Sequence, residues 1–209
     1  MQLLLARHGN TFEDGAPSLW IGSQTDLPLT AKGRTQAETL AAALKAASIS
    51  IAAIYTGPLR RHREHGAIIA KALGQPESTL IIDDRLQEID YGVWERKSND
   101  DLRHSGFEDQ LNAWNKNAVW PSSGVWGESE ESLIARVGGF LASVQRETDD
   151  RNTRLAITSG GVLRQFYKQC GGNSSAESKV GTGNACSISL LGSTRRVQFW
   201  NTQPSALSL

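Results

Sequence analysis

The chain has 209 residues, and its 22 Lys and Arg balance 22 Asp and Glu, so the formal charge is zero. That length suits one domain with a substantial core, or one domain with a lid-like insertion, and the balanced charge excludes a whole-surface attraction to nucleic acid or anionic membrane. The 2 cysteines, Cys170 and Cys186, are too few for a disulfide framework or zinc site and read as small apolar fillers; no apolar run approaches membrane-spanning length and "MQLLLA" is too short for a signal segment, so a soluble cytoplasmic protein is expected.

In chain order, residues 3–6 form a continuous apolar run of strand length, the pattern of a strand buried on both faces. It ends abruptly on Arg7, His8 and Gly9. Residues 10–28 are loop-like, punctuated by Gly15, Pro17, Gly22 and Pro28. Thr30 can cap a helix on which Ala37, Leu40, Ala41 and Leu44 share one face. Residues 49–55 are a second strand candidate. A helix follows, with Pro58 near its start and Gly74 as its stop, and with Arg61, His65, Ile68 and Ala72 on one face. "TLIIDDRL" gives a third, shorter strand. A helix over 130–146 carries Leu133, Val137, Phe140, Leu141 and Val144 on one stripe. "TRLAITS" is a further buried strand, followed by a helix over 161–170, and "ACSISLLG" with "RRVQFWN" closes the chain as a hairpin.

Strands alternating with helices predict a single α/β domain: a three-layer sandwich with a mostly parallel central sheet flanked by helices. Residues 95–127, with Trp114, Trp120 and Trp126, read as a helical and loop insertion over the sheet. The three tryptophans are expected to form the insertion's own small core, with a stacking pocket wall as the alternative.

Chemistry gathers just past the carboxyl ends of the strands, where such folds bind ligands. The first strand delivers Arg7 and His8, the helix after the second delivers Arg61, and the loop after the third delivers Glu88. A neutral imidazole is a good nucleophile toward phosphorus. Two guanidiniums offer planar forks of donors to phosphoryl oxygens. A carboxylic acid can protonate a leaving alkoxide and then take a proton from water.

On these residues the chain resembles the histidine phosphatase superfamily, the phosphoglycerate-mutase-like proteins. "LARHGNT" is similar to its Arg-His-Gly signature. "DLPLTAKGRTQAETLAAAL" resembles its D-x-P-L-T-x-x-G-x-x-Q-A segment, "GPLRRHREHGAIIA" its S-P-L-x-R-A-x-x-T-A helix, and "LQEIDYGVWE" its L-x-E-x-x-x-G-x-W-E loop. "GESEESLIARV" and "ITSGGVLR" match the late helix and last core strand. The resemblance implies a phosphoglycerate-mutase-like fold and a metal- and cofactor-independent phosphatase acting on a small phosphorylated metabolite. His8 would be the phosphoryl-accepting nucleophile, Arg7 and Arg61 the clamp, Glu88 the acid/base, and Asn10, Asp14, Ser159 and Gly160 further contacts. A homodimer paired through the final hairpin is left open by the sequence.

The chain also departs from the pattern. The family reads T-H-G-G where this chain reads T-S-G-G, so Ser159 stands where a second histidine donates to the phosphoryl group. Serine is neutral and shorter, and loss of one preorganised donor costs about 10²–10³ in rate. That sets a phospholigand-binding pseudophosphatase as the alternative and argues against a mutase. Asp14 falls at a position where many members carry asparagine, Arg96 where they carry glycine, and His65 where they carry threonine. His65 could point into the pocket and replace the missing donor, or be a packed helix residue; His62 and His104 are expected on the surface. Cys170 lacks a neighbouring base, and Gly181–Asn184, though it resembles part of a phosphate-cradling loop, reads as a turn into the last hairpin.

Overall fold

The structure is a computed structural model, and it describes residues 1–146, 153–173 and 176–207. Strands and helices alternate as the apolar pattern predicts: β1 (Gln2–Arg7), α1 (Ala31–Ala46), β2 (Ile51–Thr56), α2 (Arg60–Ala72) and β3 (Leu80–Ile82). They continue with α3 (Asn99–His104), α4 (Glu108–Asn117), α5 (Glu130–Gln145), β4 (Thr153–Thr158), α6 (Gly160–Gln169), β5 (Ala185–Leu191) and β6 (Thr194–Thr202). The helix ends follow local chemistry. Thr30 Oγ1 accepts from the Gly33 amide at 3.1 Å at the start of α1, and α2 stops at Gly74, whose φ of +75° favours glycine.

The six strands form one sheet in the order β3-β2-β4-β1-β5-β6. Pairing is parallel from β3 through β1 and antiparallel at β5 and β6. Side chains alternate across it. Leu3 and Leu5 of β1 join Phe140 of α5 and Phe166 of α6 in one core, whereas Leu4 and Ala6 join Leu40 and Leu44 of α1 and Ile69 of α2 in the other. The result is the three-layer sandwich.

This topology fixes where a ligand can sit. β1 and β4 are parallel neighbours, yet the chain leaves β1 toward α1 on one face and leaves β4 toward α6 on the other. Adjacent strands whose connections part to opposite faces open a crevice at their carboxyl ends.

Two expectations need correction. The insertion tryptophans do not form a separate core: Trp114 and Trp126 belong to the same cluster as Phe140 and Phe166, with Trp120 packed against it. Trp126 joins them to the rest: it meets Trp114, Tyr91 and Trp94 edge to face, with Trp114–Trp126 centroids 4.8 Å apart, and Trp94 in turn meets Trp20 at 4.9 Å. The buried face of α2 consists of Arg61, His62, His65, Gly66, Ile69 and Ala70, so Arg61 and His65 share a face as expected whereas Ile68 and Ala72 are not on it. Ile68 and Ala72 are half-buried, because α2 packs against both the sheet and α1, which turns its inner face by about one residue. Arg96 keeps a φ of 61°, so the backbone there still adopts the left-handed turn in which glycine is cheapest. Among the described residues no helix is long and apolar enough to cross a membrane.

Candidate active site

His8 is held from three sides. Its backbone amide donates to Thr158 O at 3.0 Å, tying the end of β1 to the end of β4. Gly9 lies against α1: a Cβ there would be 2.3 Å from Gly33 O, so the glycine makes room for a helix backbone. From α2, His65 Nδ1 accepts the Gly9 amide at 3.0 Å. His65 therefore braces the loop that follows His8 and is not among the residues lining the cleft. The His8 ring is 4% exposed. Its Nδ1 lies 2.8 Å from Gly9 O; a carbonyl only accepts, so Nδ1 carries the proton and Nε2 keeps its lone pair. Burial, then the Arg61 charge, then His62 and Arg7, hold the ring's pKa well below the ordinary value, so it is neutral at pH 7.

Cationic groups surround it. Arg7 donates through Nη1 to Val180 O at 2.7 Å. Arg61 is fully buried, with Nη1 on Thr25 O at 2.8 Å and Nη2 on Gly22 O at 3.1 Å. Both Arg7 Nε and Arg61 Nε are buried donors without a partner among the described residues. A third guanidinium, Arg164, is 8% exposed and lies 5.0 Å over the Trp114 ring; its Nη1 is likewise unpartnered. The sequence reading passed over Arg164, although it sits one helical turn after Gly160 and so on the same face as the start of α6.

Glu88 is 6% exposed. Its oxygens accept the Ile89 amide at 2.9 Å and the Gly161 amide at 3.3 Å. Gly161 makes this fit, since a Cβ there would be 2.6 Å from Glu88 Oε1. Burial raises the Glu88 pKa, against the pull of the two amides, Arg61 and Arg7, so the carboxyl keeps its proton to higher pH than an ordinary glutamate. Arg7, His8, Glu88, Gly160, Gly161 and Arg164 all line one cleft of about 650 Å³. The amino end of α6 adds the partial positive charge of its first amides.

The expected gap at Ser159 is occupied. His62, read from the sequence as a surface residue, is fully buried. Its Nε2 lies 2.6 Å from Ser159 Oγ, and its ring centroid is 5.4 Å from that of His8. The displaced face of α2 explains the error.

The remaining candidates divide. Asn10 lines the cleft, with its amide on Gln36 Oε1 at 2.8 Å and its side chain accepting from Thr182. Asp14 is at the rim, turned outward to Lys32 at 2.8 Å, so its carboxylate faces a cation. Gly160 packs on the Arg7 guanidinium. Trp114 does line the cleft, so the pocket-wall reading holds for this tryptophan alone of the three. Cys170 and Cys186 are buried free thiols, both pushed up to about 12 by burial. Gly181–Asn184 is a turn into β5, and His104 is exposed, bonded to Asp100 O.

Comparison with known proteins identifies the family and the fold. Residues 3–203 match the model of the histidine phosphatase superfamily (branch 1). A 2,3-bisphosphoglycerate-dependent phosphoglycerate mutase of Methylobacterium sp. (strain 4-46) is 36% identical over 166 residues, 78% of this chain and 76% of that protein. The same enzyme of Bartonella bacilliformis is 32% identical over 177 residues, 84% of each. Among solved structures, Bacillus stearothermophilus YhfR superposes with a TM-score of 0.80 at 26% identity, covering 96% of each chain. A mycobacterial glucosyl-3-phosphoglycerate phosphatase shares the fold with a TM-score of 0.79 at 24% identity, covering 97% of this chain and 99% of that one. The chain belongs to the histidine phosphatase superfamily, branch 1.

Proposed function

We propose that the protein is a phosphatase that hydrolyses small phosphomonoesters through a phosphohistidine on His8. One observation carries the reading: among the described residues, buried guanidinium donors on Arg7, Arg61 and Arg164 lack an acceptor, Arg7 and Arg164 line the cleft together with His8, and the neutral imidazole keeps its lone pair on Nε2. Leaving buried donors unpaired is costly, and a tetrahedral oxyanion supplies several acceptors at once.

In the first half-reaction His8 Nε2 attacks phosphorus. The N–P bond forms, the ester P–O bond breaks, and the leaving alkoxide takes the proton held by Glu88. In the second, water attacks the same phosphorus, the N–P bond breaks, and Glu88 takes the water's proton, returning both groups to their starting state. The raised pKa of Glu88 and the lowered pKa of His8 suit these roles, acid and neutral nucleophile at one pH. Arg164, with Trp114 beneath it, lies where it can meet an anionic oxygen of the substrate.

The test compares wild type with His8→Ala on para-nitrophenyl phosphate and on a panel of sugar and carboxylic-acid phosphates. Wild type is expected to release phosphate and to carry a base-stable, acid-labile phosphoryl adduct. Equal rates for the two proteins would overturn the reading. The sequence relatives are mutases, so a mutase is the second reading. It is favoured if 3-phosphoglycerate is isomerised in the presence of 2,3-bisphosphoglycerate faster than phosphate is released.

A further inference from the structure

We infer that His62 is a positioning residue for the phosphoryl transfer: it orients the Ser159 hydroxyl as the hydrogen-bond donor at the place where the family pattern has a histidine. This rests on the phosphatase reading of the site.

Three positions depart from the pattern together. The chain has Ser159, His62 and Gly57; set against the family segments that it resembles, serine stands there for histidine, histidine for alanine and glycine for serine. In space these are one change. The His62 ring reaches across from α2 to Ser159, 2.6 Å away. It passes through the space a side chain at 57 would fill, since a Cβ on Gly57 would be 2.3 Å from His62 Nδ1. The imidazole missing from the β4 end is supplied by α2, with both neighbours reduced to admit it.

The hydrogen-bond inventory is compatible with a direction that makes Ser159 a donor. His62 Nδ1 is buried with no partner among the described residues. With the proton on Nε2, His62 donates to Ser159 Oγ and its unpartnered Nδ1 is left as a lone pair, the less costly group to leave unpaired; this is the inferred arrangement, and it leaves the serine's hydrogen for an acceptor that enters the site. The serine's own hydrogen is then turned away from the ring. Ser159 is the N-cap residue of α6, yet its side chain makes no capping bond, so its oxygen is not diverted to the helix amides as an N-cap serine's usually is. It directly follows Thr158, whose carbonyl holds the His8 amide, and the His62 ring lies beside that of His8. Ser159 is itself fully buried and adjoins Gly160, which lines the cleft with His8, so in this arrangement its hydrogen is left for an acceptor bound there.

The experiment is a set of four variants assayed with para-nitrophenyl phosphate: His62→Leu, His62→Gln, Ser159→Ala and Ser159→His, plus the His62→Leu/Ser159→Ala and His62→Ala/Ser159→His doubles. Melting temperatures are followed alongside. His62→Leu and Ser159→Ala should each lower kcat by about 10²-fold with little change in KM. The Leu/Ala double should be no worse than either single, because the two act as a unit. His62→Gln, whose amide can still donate to Ser159, should recover part of the loss. Ser159→His alone should not exceed wild type, since the His62 ring already fills the space beside residue 159; combined with His62→Ala it should regain activity. If wild type is active and His8→Ala is dead but His62→Leu turns over like wild type, the inference fails and the phosphatase reading survives. It fails also if the singles are additive, or if Ser159→His alone raises kcat. Inactive wild type on the whole substrate panel overturns the reading beneath it.

Discussion

At His8 one proton position decides the chemistry. The Nδ1–H bond to Gly9 O puts the free lone pair on Nε2, and in the proposed mechanism Glu88 supplies the proton that the leaving group needs. Glu88→Gln keeps the shape and removes that proton. With an alkyl phosphate, kcat should fall by about 10²–10⁴; with an aryl phosphate, whose leaving group needs no acid, the fall should be much smaller, and the alkaline limb of kcat/KM that reports loss of the Glu88 proton should disappear. Equal losses on both substrates would remove Glu88 from the acid role. His65 makes a separate prediction, on stability. Burial lowers its pKa from 6.5 to about 3. The unfolded ring therefore binds a proton at a pH where the folded ring does not. Stability from the neutral ring is complete above pH 6.5 and drains away as pH falls toward 3, by up to about 1.4 kcal/mol per pH unit. His65→Gln keeps an acceptor for the Gly9 amide, so urea midpoints in this variant should fall less steeply with acid than in wild type. Parallel pH profiles would contradict it.

Helix α2 shows what an element can hide from sequence. Its limits were legible because Pro58 and Gly74 are backbone signals that act locally. Its inner face was legible only in part: Arg61 and His65 were placed on one face, but His62 is polar and a periodicity count of apolar residues gives no reason to add it. The face is set by what meets the helix, and Gly66 is the closest meeting. A Cβ there would be 2.5 Å from Thr56 Cγ2 of β2, a β-branched and fully buried side chain that cannot swing aside. Alanine favours an exposed helix interior over glycine by about 1 kcal/mol. Here Gly66→Ala should instead destabilise by roughly 1–3 kcal/mol, and should lower activity as well by pushing Arg61, His62 and His65 out of register. A rise in melting temperature would show that the α2–β2 contact yields. The loop after His8 is less forgiving still, since Gly9 lies against the backbone of Gly33 and Gly33 against that of Asn10. Both glycines stand in stretches that the sequence made readable, but which backbone each approached was a tertiary fact.

On the scale of the whole molecule, alternating apolar segments sufficed to give the layers and the site's end of the sheet, because parallel strands buried on both faces leave only their carboxyl ends open. Arg7, His8 and Glu88 could be placed on the cleft from strand ends alone. Arg164 could not, because its importance depends on Trp114, which reaches it from an insertion distant in sequence. A buried guanidinium with an unpartnered Nη1 is held in the fold at a cost, and the cation–π contact with Trp114 offsets only part of it. Cost to the fold and use to the ligand should therefore separate on substitution. Arg164→Met retains the length and apolar stem while removing the charge. Its melting temperature should equal or exceed that of wild type, whereas KM should rise roughly ten- to a hundredfold, the loss expected for one charged hydrogen bond. A lower melting temperature with unchanged KM would mean that Arg164 serves the packing of the insertion and not the substrate. In the predicted outcome, the donors that weaken the empty fold are the ones that bind the anion, and added phosphate or vanadate should raise the melting temperature of wild type more than that of Arg164→Met.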